Sequence, residues 1–365
     1  MGDQPLQDLV TQFHRGQLDR RHFLVRAIAL GLSASTATAL LRHTETAAAQ
    51  ESHRVAVIPP ALTSPFHRAV EEGAREAAEG LGWEIQSQAP DREDNYQQQV
   101  DIVNALLQTD VEAISVNPIN AQAIVSAVVA ANDAGIPIFM HNMLTPVGSA
   151  EGAEVVEYIG YDQWSAGEKA GHYAAELLGG EGKVYILNGL DGFHTHRRVG
   201  GFKSALADYP GIEVAGEQFA DWLREKGQQV ATAALQADPD IKLFFGASDE
   251  MAIGAANAAR DQGVEVFTIG IDGNDVTLDL IEQGEVTATV GVYPKRMGEV
   301  VIQQMEKMFA GDDIPPFLWT PSIVVDQENL EAYSAGETWE EPTAGAGEED
   351  TGEPTIAEDA ATPTG

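Results

Sequence analysis

From Arg54 onward the chain repeats one unit: a short β-branched or apolar run, a turn, then a longer stretch with apolar residues three and four apart. A two-residue period alternating with a 3.6-residue period means strands joined by helical crossovers, the pattern of a parallel α/β sheet. Strands are expected at Val55–Ile58, Trp83–Gln86, Ala113–Val116, Pro137–Met140, Lys183–Leu187, Ile241–Phe245, Val266–Ile269 and Thr287–Val290. The main helices are expected at Pro65–Leu81, Tyr96–Gln108, Ala121–Ala134, Trp164–Leu178, Arg198–Tyr209, Lys226–Ala237 and Glu250–Gln262. Several end in the glycine that a left-handed cap favours, as in Leu81-Gly82, Ala134-Gly135-Ile136-Pro137 and Gln262-Gly263. This many strands and crossovers exceed one hydrophobic core and call for two.

Charge narrows the choice of partner. Lys and Arg total 21 against 57 Asp and Glu, a formal charge of -36, so no basic stripe exists to neutralise phosphates and nucleic acid is not expected as a partner. The 365 residues contain no Cys, which removes disulfides, thiolate metal sites and a lipid-modified cysteine together.

The two ends differ from the body. Asp19-Arg20-Arg21-His22-Phe23-Leu24 precedes an apolar stretch, Ala27 to Leu41, that is too short and too rich in Ser, Thr and Ala to span a bilayer. With Ala47-Ala48-Ala49 ahead of Gln50, residues 1–49 read as a signal peptide of twin-arginine type, cut near Ala49. The expected location is therefore periplasmic or secreted without a lipid anchor, and the twin-arginine export machinery is an expected partner. After Tyr333 the sequence turns to Glu, Gly, Thr, Pro and Ala, so residues 334–365 are expected to be a disordered acidic tail, dispensable for binding.

Six strings in register then carry a resemblance: Pro65-Phe66, Ile114-Ser115-Val116-Asn117-Pro118, Ala134-Gly135-Ile136-Pro137-Ile138, Arg198-Val199-Gly200-Gly201-Phe202, Ser248-Asp249-Glu250-Met251-Ala252-Ile253-Gly254-Ala255 and Ile269-Gly270-Ile271-Asp272-Gly273. In this order the chain resembles the ribose-binding type of periplasmic sugar-binding protein from about Arg54 to Asp326. The resemblance implies two Rossmann-like lobes with parallel sheets, three hinge crossings near Gly160, Tyr293 and Leu318, and a ligand held in the interlobe cleft at the carboxyl ends of the strands. It divides the body into residues 52–159 plus 293–318 for the N-terminal lobe and 160–292 plus 319–333 for the C-terminal lobe. General α/β physics puts the crevice in the same place.

A sugar presents C–H faces that pack on aromatic rings and hydroxyl edges that need polar partners once water is expelled. By the resemblance, Phe66 stacks on the ligand from one lobe and Trp222 from the other, His67 replaces a second aromatic, Arg198 forks onto ligand oxygens with Arg197 and His196 beside it, and Asp272 accepts from hydroxyls. Asn142, Ser248 and Ser64 stand where the family has an aspartate and two asparagines; Met143 replaces an arginine and Val292 a glutamine. The two apolar replacements would leave ligand hydroxyls unpaired at a cost of about 1–3 kcal/mol each. A ligand with a deoxy position, a methyl, fewer hydroxyls or another ring form suits the site better than ribose.

The expected function is thus capture of a monosaccharide or related small polyol by a monomeric solute-binding protein that delivers it to the membrane permease of an ABC transporter; the alternative is a protein of the same fold feeding a chemoreceptor, sensor kinase or regulator. A repressor core would need a helix-turn-helix where residues 1–50 carry an export signal. Catalysis is not expected: the nine His are scattered, and Asp249-Glu250 reads as a helix cap with a first-turn acid. No metal or cofactor is expected either, since His194 and His196 do not share a helix face and Gly179-Gly180 follows a helix instead of joining strand to helix.

Overall fold

The computed structural model describes residue 9 and residues 20–30, 32–33, 36–37, 52–144, 146–147 and 152–345. The cleavage site expected after Ala47-Ala48-Ala49 and the last twenty residues of the expected tail, 346–365, lie outside the described residues, as do the side chains of Arg20 and Arg21. One compact unit gathers residues 1–53 and 79–84, the other residues 54–78 and 85–365. In the first unit, helix α1 (Arg20–Ala29) buries Phe23 and Ala27 in a small cluster with Leu9 and Ala37 and leaves Val25 and Ile28 exposed, as is Leu30 just past its end. No helix among the described residues is long and apolar enough to cross a membrane.

From Arg54 the elements follow as β1 (Arg54–Ile58), α2 (Pro65–Gly80), β2 (Glu84–Ser87), α3 (Tyr96–Leu106), β3 (Ala113–Val116), α4 (Ala121–Asp133), β4 (Ile138–His141) and β5 (Glu157–Gly160). Then come α5 (Gln163–Leu178), β6 (Glu181–Asn188), α6 (Phe193–Leu206), β7 (Gly211–Phe219), α7 (Arg224–Ala237), β8 (Ile241–Gly246), α8 (Asp249–Gln262), β9 (Phe267–Asp272), α9 (Asp275–Glu282) and β10 (Ala288–Gly291). The chain ends with α10 (Pro294–Ala310), β11 (Phe317–Trp319), β12 (Ile323–Val325), α11 (Leu330–Ser334) and β13 (Thr343–Ala344).

The strands form two sheets, ordered β13-β11-β5-β4-β3-β1-β2 and β12-β10-β9-β8-β6-β7. Their central pairs are parallel, while β10 with β12 and β11 with β13 are antiparallel. Each sheet has its own core: Ile58, Val103, Ile114, Ile124 and Met140 in the first lobe, Ile186, Phe202, Phe244, Phe245 and Ile269 in the second. Crossovers at this level of burial explain why the inner strands are continuous apolar runs instead of alternating ones.

The chain passes from the first sheet to the second after Gly160, returns through Val292-Tyr293 into α10, and passes over again between Trp319 and Ile323. Helix α10 rejoins the first lobe by packing on β4, β5 and α2. A Cβ at Gly298 would lie 1.9 Å from the Val70 carbonyl oxygen, so glycine is what lets these two helices touch. Lys295 reinforces the contact with ion pairs to Glu72 at 3.1 Å and Glu76 at 2.9 Å.

Residues 334–345 correct the expected tail, because they are packed on the body. The Tyr293 hydroxyl donates to the Thr338 carbonyl at 2.8 Å, the Trp339 ring stands edge-on to Tyr293 at 5.2 Å, and β13 adds Thr343 and Ala344 to the free edge of β11. The chain therefore crosses between the lobes a fourth time. One aromatic, two backbone pairs and an open strand edge offset the ordering entropy that composition alone made prohibitive.

Other elements also escaped the sequence. β7 is exposed or half-exposed along its whole length, and β5, β11 and β12 span only three or four residues each, too short for a period to show. α10 carries Met297, Val301 and Met305 four residues apart, a pattern that is legible in retrospect. The expected start of α6 at Arg198 is wrong: the helix begins five residues earlier at Phe193, which moves Arg198 from an exposed first turn to a buried second one.

Candidate ligand-binding cleft

The carboxyl ends of the parallel strands face one another across a cavity of about 570 Å³, within the range of about 300–1,000 Å³ typical of small-ligand pockets. After β1, Ser64, Phe66 and His67 open α2; after β3 and β4 come Asn117, Asn142 and Met143. The second lobe contributes Leu190 to His194 after β6, Arg198 from α6, Trp222 after β7, Ser248 after β8 and Asp272 at the end of β9.

Arg198 is the hub of the second-lobe wall. Its Nε donates to Gln163 Oε1 at 2.7 Å, Nη1 to the Ala247 carbonyl at 2.7 Å and to Asp272 Oδ1 at 3.4 Å, and Nη2 to the Tyr161 hydroxyl at 2.5 Å. The guanidinium lies 5.7 Å from the Tyr161 ring centre and 5.5 Å from that of Trp222, within cation–π range. Glycines bring its helix close: a Cβ at Gly167 would fall 2.0 Å from the Arg198 carbonyl oxygen. Gln163 carries the network on, donating from Nε2 to the Asn142 side-chain oxygen at 3.1 Å, so the two lobes share one polar chain.

Asp249 supports this wall from behind. It is fully buried, accepts from Thr289 Oγ1 at 2.5 Å and from the Gly273 and Asn274 N–H groups at 3.0 and 2.9 Å, and thereby fixes the turn that follows Asp272. Burial raises the carboxyl groups of both Asp249 and Asp272 above the usual range, and Arg198 opposes the rise at Asp272. Strained backbone surrounds the cleft and hinge: Asn142, Asp221, Trp222 and Tyr293 all have φ between 52° and 64°. Such conformations each cost about 1–3 kcal/mol and persist where the surroundings over-determine them. Trp222 is one case, since its ring occupies the space a side chain at Gly189 would need.

Other polar groups of the cleft, from both lobes, are unpaired. His67 Nδ1, both side-chain atoms of Asn117, both ring nitrogens of His194 and Ser248 Oγ are buried without a hydrogen-bond partner among the described residues. Burial holds His67 and His194 far below the ordinary imidazole range, His194 at about 3, so both are neutral and each has a ring nitrogen that accepts. Unpaired buried groups cost about 1–3 kcal/mol each, and a ligand with several hydrogen-bonding edges would recover that.

Nine of the ten residues expected at the site line this cavity: Ser64, Phe66, His67, Asn142, Met143, Arg198, Trp222, Ser248 and Asp272. Val292 does not; it is buried in the hinge, away from the lining. Arg197 and His196 are also elsewhere, Arg197 over the Trp164 ring at 5.3 Å and His196 on Asp191 at 2.7 Å. Glu93, Asn117, Tyr161, Gln163 and His194 had not been singled out for the site. Asn117 stood at a strand end inside a recognised string, a readable signal, whereas Gln163 and Tyr161 lie in a hinge crossing with no motif. Among the described residues no group of His, Asp or Glu is arranged to hold a metal ion.

The comparisons with known proteins agree with this architecture. A model of the periplasmic binding protein domain matches residues 55–313. The ribose import binding protein RbsB of Bacillus subtilis is 31% identical over 260 residues, 71% of this chain and 83% of that protein. Its Escherichia coli counterpart is 30% identical over 293 residues, covering 80% and 93%. Among solved structures, an ABC transporter periplasmic solute-binding protein from Actinobacillus succinogenes with bound D-allose superposes with a TM-score of 0.74 at 30% identity, covering 77% of this chain and 100% of that one. Another from Agrobacterium vitis, bound with α-D-tagatopyranose, gives 0.72 at 27% identity, covering 80% and 100%. Two mostly parallel sheets, a cleft at their strand ends and a family match over most of the body lead to one assignment: the chain belongs to the periplasmic binding protein domain family.

Proposed function

We propose that this chain is the extracytoplasmic solute-binding protein of an ABC importer, that it captures a monosaccharide or related small polyol between its lobes, and that it presents the closed form to the permease. The observation that carries the reading is the make-up of the cleft: Phe66 and Trp222 from opposite lobes, and between them a ring of buried polar atoms without partners. Relatives whose names specify ribose import, and neighbours solved with D-allose or tagatopyranose, support sugar as the ligand class.

Phe66 and Trp222 offer apolar faces to the C–H faces of a sugar ring, while Asn117, Ser248 and Asp272 meet its hydroxyl edges. Each lobe carries only part of the site, so the ligand binds the closed state far better than the open one and shifts the population toward it. None of the cleft groups needs to react. The twin-arginine sequence Arg20-Arg21, which opens α1, supports export to the periplasm; with both arginines replaced by Lys, precursor should accumulate in the cytoplasm, and normal export would exclude that route.

The test of ligand class is a thermal-shift screen of monosaccharides, deoxysugars and polyols, followed by calorimetry on the best hit. A sugar or polyol hit with one-to-one stoichiometry is expected, with a change in Trp222 fluorescence on binding. Hits confined to amino acids or nucleotides would exclude the sugar reading.

A further inference from the structure

The cavity is lined by five carboxylates, Glu93, Asp94, Asp191, Glu250 and Asp272, and one guanidinium, Arg198. Four of the five have a nitrogen partner within the protein. Asp94 is paired with Arg92 at 2.9 Å, Asp191 with His196 at 2.7 Å, Glu250 with Arg224 at 2.7 Å and Asp272 with Arg198 at 3.4 Å. Glu93 differs. Its one basic neighbour within 4.0 Å among the described residues is His67, with Oε1 3.8 Å from Nε2, and it makes no hydrogen bond to a described residue.

The neighbours of Glu93 cannot supply the missing charge. His67 and His194 face the same space and are kept neutral by burial. Arg198 acts on Glu93 from a distance, but its bonds go to Gln163, Ala247, Asp272 and Tyr161. The same cavity also holds His67 Nδ1, both polar side-chain atoms of Asn117 and both ring nitrogens of His194 without partners among the described residues, so acceptors are open there as well. A half-desolvated carboxylate with no cation bonded to it, and with open acceptors in the same cavity, calls for a partner with several N–H groups and a positive charge.

We propose that Glu93 is the residue that selects the ligand, and that the ligand is an amine-bearing monosaccharide or aminocyclitol whose ammonium group sits against Glu93. This rests on the sugar-binding reading and narrows it. The ammonium donates to Glu93 and to the neighbouring acceptors His67 and Asn117, while Phe66 and Trp222 hold the ring. Anionic sugars are excluded by the same charge balance. Burial pushes the Glu93 carboxyl to about 7. The empty protein takes up a proton there as pH falls below 7, and a ligand ammonium must displace that proton, so affinity for an amine falls by up to about tenfold per pH unit on the acid side.

Calorimetry on the full-length mature protein tests this with matched pairs: glucosamine with glucose, galactosamine with galactose, and an aminocyclitol with myo-inositol. The expected result is that at least one amine binds tenfold or more tightly than its neutral parent at pH 7.5, and that Glu93→Gln lowers that affinity by 10- to 100-fold while changing the parent's by less than threefold. Between pH 7.5 and 5.5 the wild-type protein should lose affinity for the amine and not for the parent, a readout that needs no variant. Neutral parents binding as tightly as the amines, or a Glu93→Gln protein that keeps the preference, would overturn the proposal and leave the sugar reading in place. If no member of either set bound, while an amino acid or nucleotide did, both readings would fall together.

Discussion

The two walls of the cleft are built from different kinds of polar group. On the second-lobe wall Arg198, Asp272, Tyr161, Gln163 and Asp249 are tied to one another before any ligand arrives. On the first-lobe wall His67, Asn117 and Glu93 are buried or half-buried and unpaired, and outside the network the second lobe adds only His194 and Ser248 to this unpaired set among the described lining residues. Preorganised groups lose little on binding but cannot be removed without disturbing the fold; unpaired groups burden the empty protein and repay it when ligand enters. The second wall therefore acts as a template and the first as the side that selects.

Arg198→Ala should give the largest effect and the sharpest view of this difference. It strands Asp272 as a buried unpaired acid, which should cost about 3–5 kcal/mol of stability in addition to a loss of about 10- to 100-fold in ligand affinity. A variant that bound weakly but melted like wild type would show that the network is not a structural template. Trp222→Ala should reduce affinity by about tenfold, the loss expected from a stacking face worth about 1–2 kcal/mol, and should abolish any ligand-induced fluorescence change that arises at this ring.

Asn117→Ala tests the opposite wall. Because its amide has no partner, removing it should leave the melting temperature of the empty protein unchanged or slightly raised, while affinity falls by about tenfold. Equal losses of stability from Asn117→Ala and Arg198→Ala would erase the contrast between the walls.

Truncation after Ser334 asks whether the hinge strap belongs to the same mechanism. Loss of Trp339, the Thr338 contact and β13 should lower the melting temperature by a few degrees, corresponding to about 1–2 kcal/mol, with the cavity lining left intact. An unchanged melting temperature would return the segment to the status that its composition suggested.

The smallest effect on ligand binding concerns Glu157, away from both walls, which serves as a control on fold alone. It is fully buried on β5 with neither carboxylate oxygen paired, and burial raises its carboxyl to about 8 against the pull of Lys307. The native state holds this proton more tightly than the unfolded chain, so stability falls as pH rises from about 4.5 to 8 and levels off above. Glu157→Gln should melt higher than wild type at pH 9, match it near pH 4.5, and leave ligand affinity unaltered.

Much of this molecule was legible before its structure. Inner strands such as β3 and β8 are apolar runs bounded by turn residues, and the strand-end positions of Phe66, Asn142, Ser248 and Asp272 follow from them. What escaped depends on tertiary partners. β7 shows no period because both its faces are partly open, and β13 exists only because β11 offers an edge. Glu93 and Gln163 carry no local signature; only the convergence of distant loops turns one into an isolated cleft acid and the other into a link between lobes. Val292 shows the converse error: expected at the site, it is buried in the hinge and does not line the cavity.

The most direct test of the central claim is a native mass spectrum of the mature protein purified from its own host without refolding. The account predicts a one-to-one complex that releases, on denaturation, a small molecule with the mass of a monosaccharide, amino sugar or cyclitol, and that shifts to the free mass in the Arg198→Ala variant. An amino acid, a peptide or a nucleotide released in the same stoichiometry would contradict it.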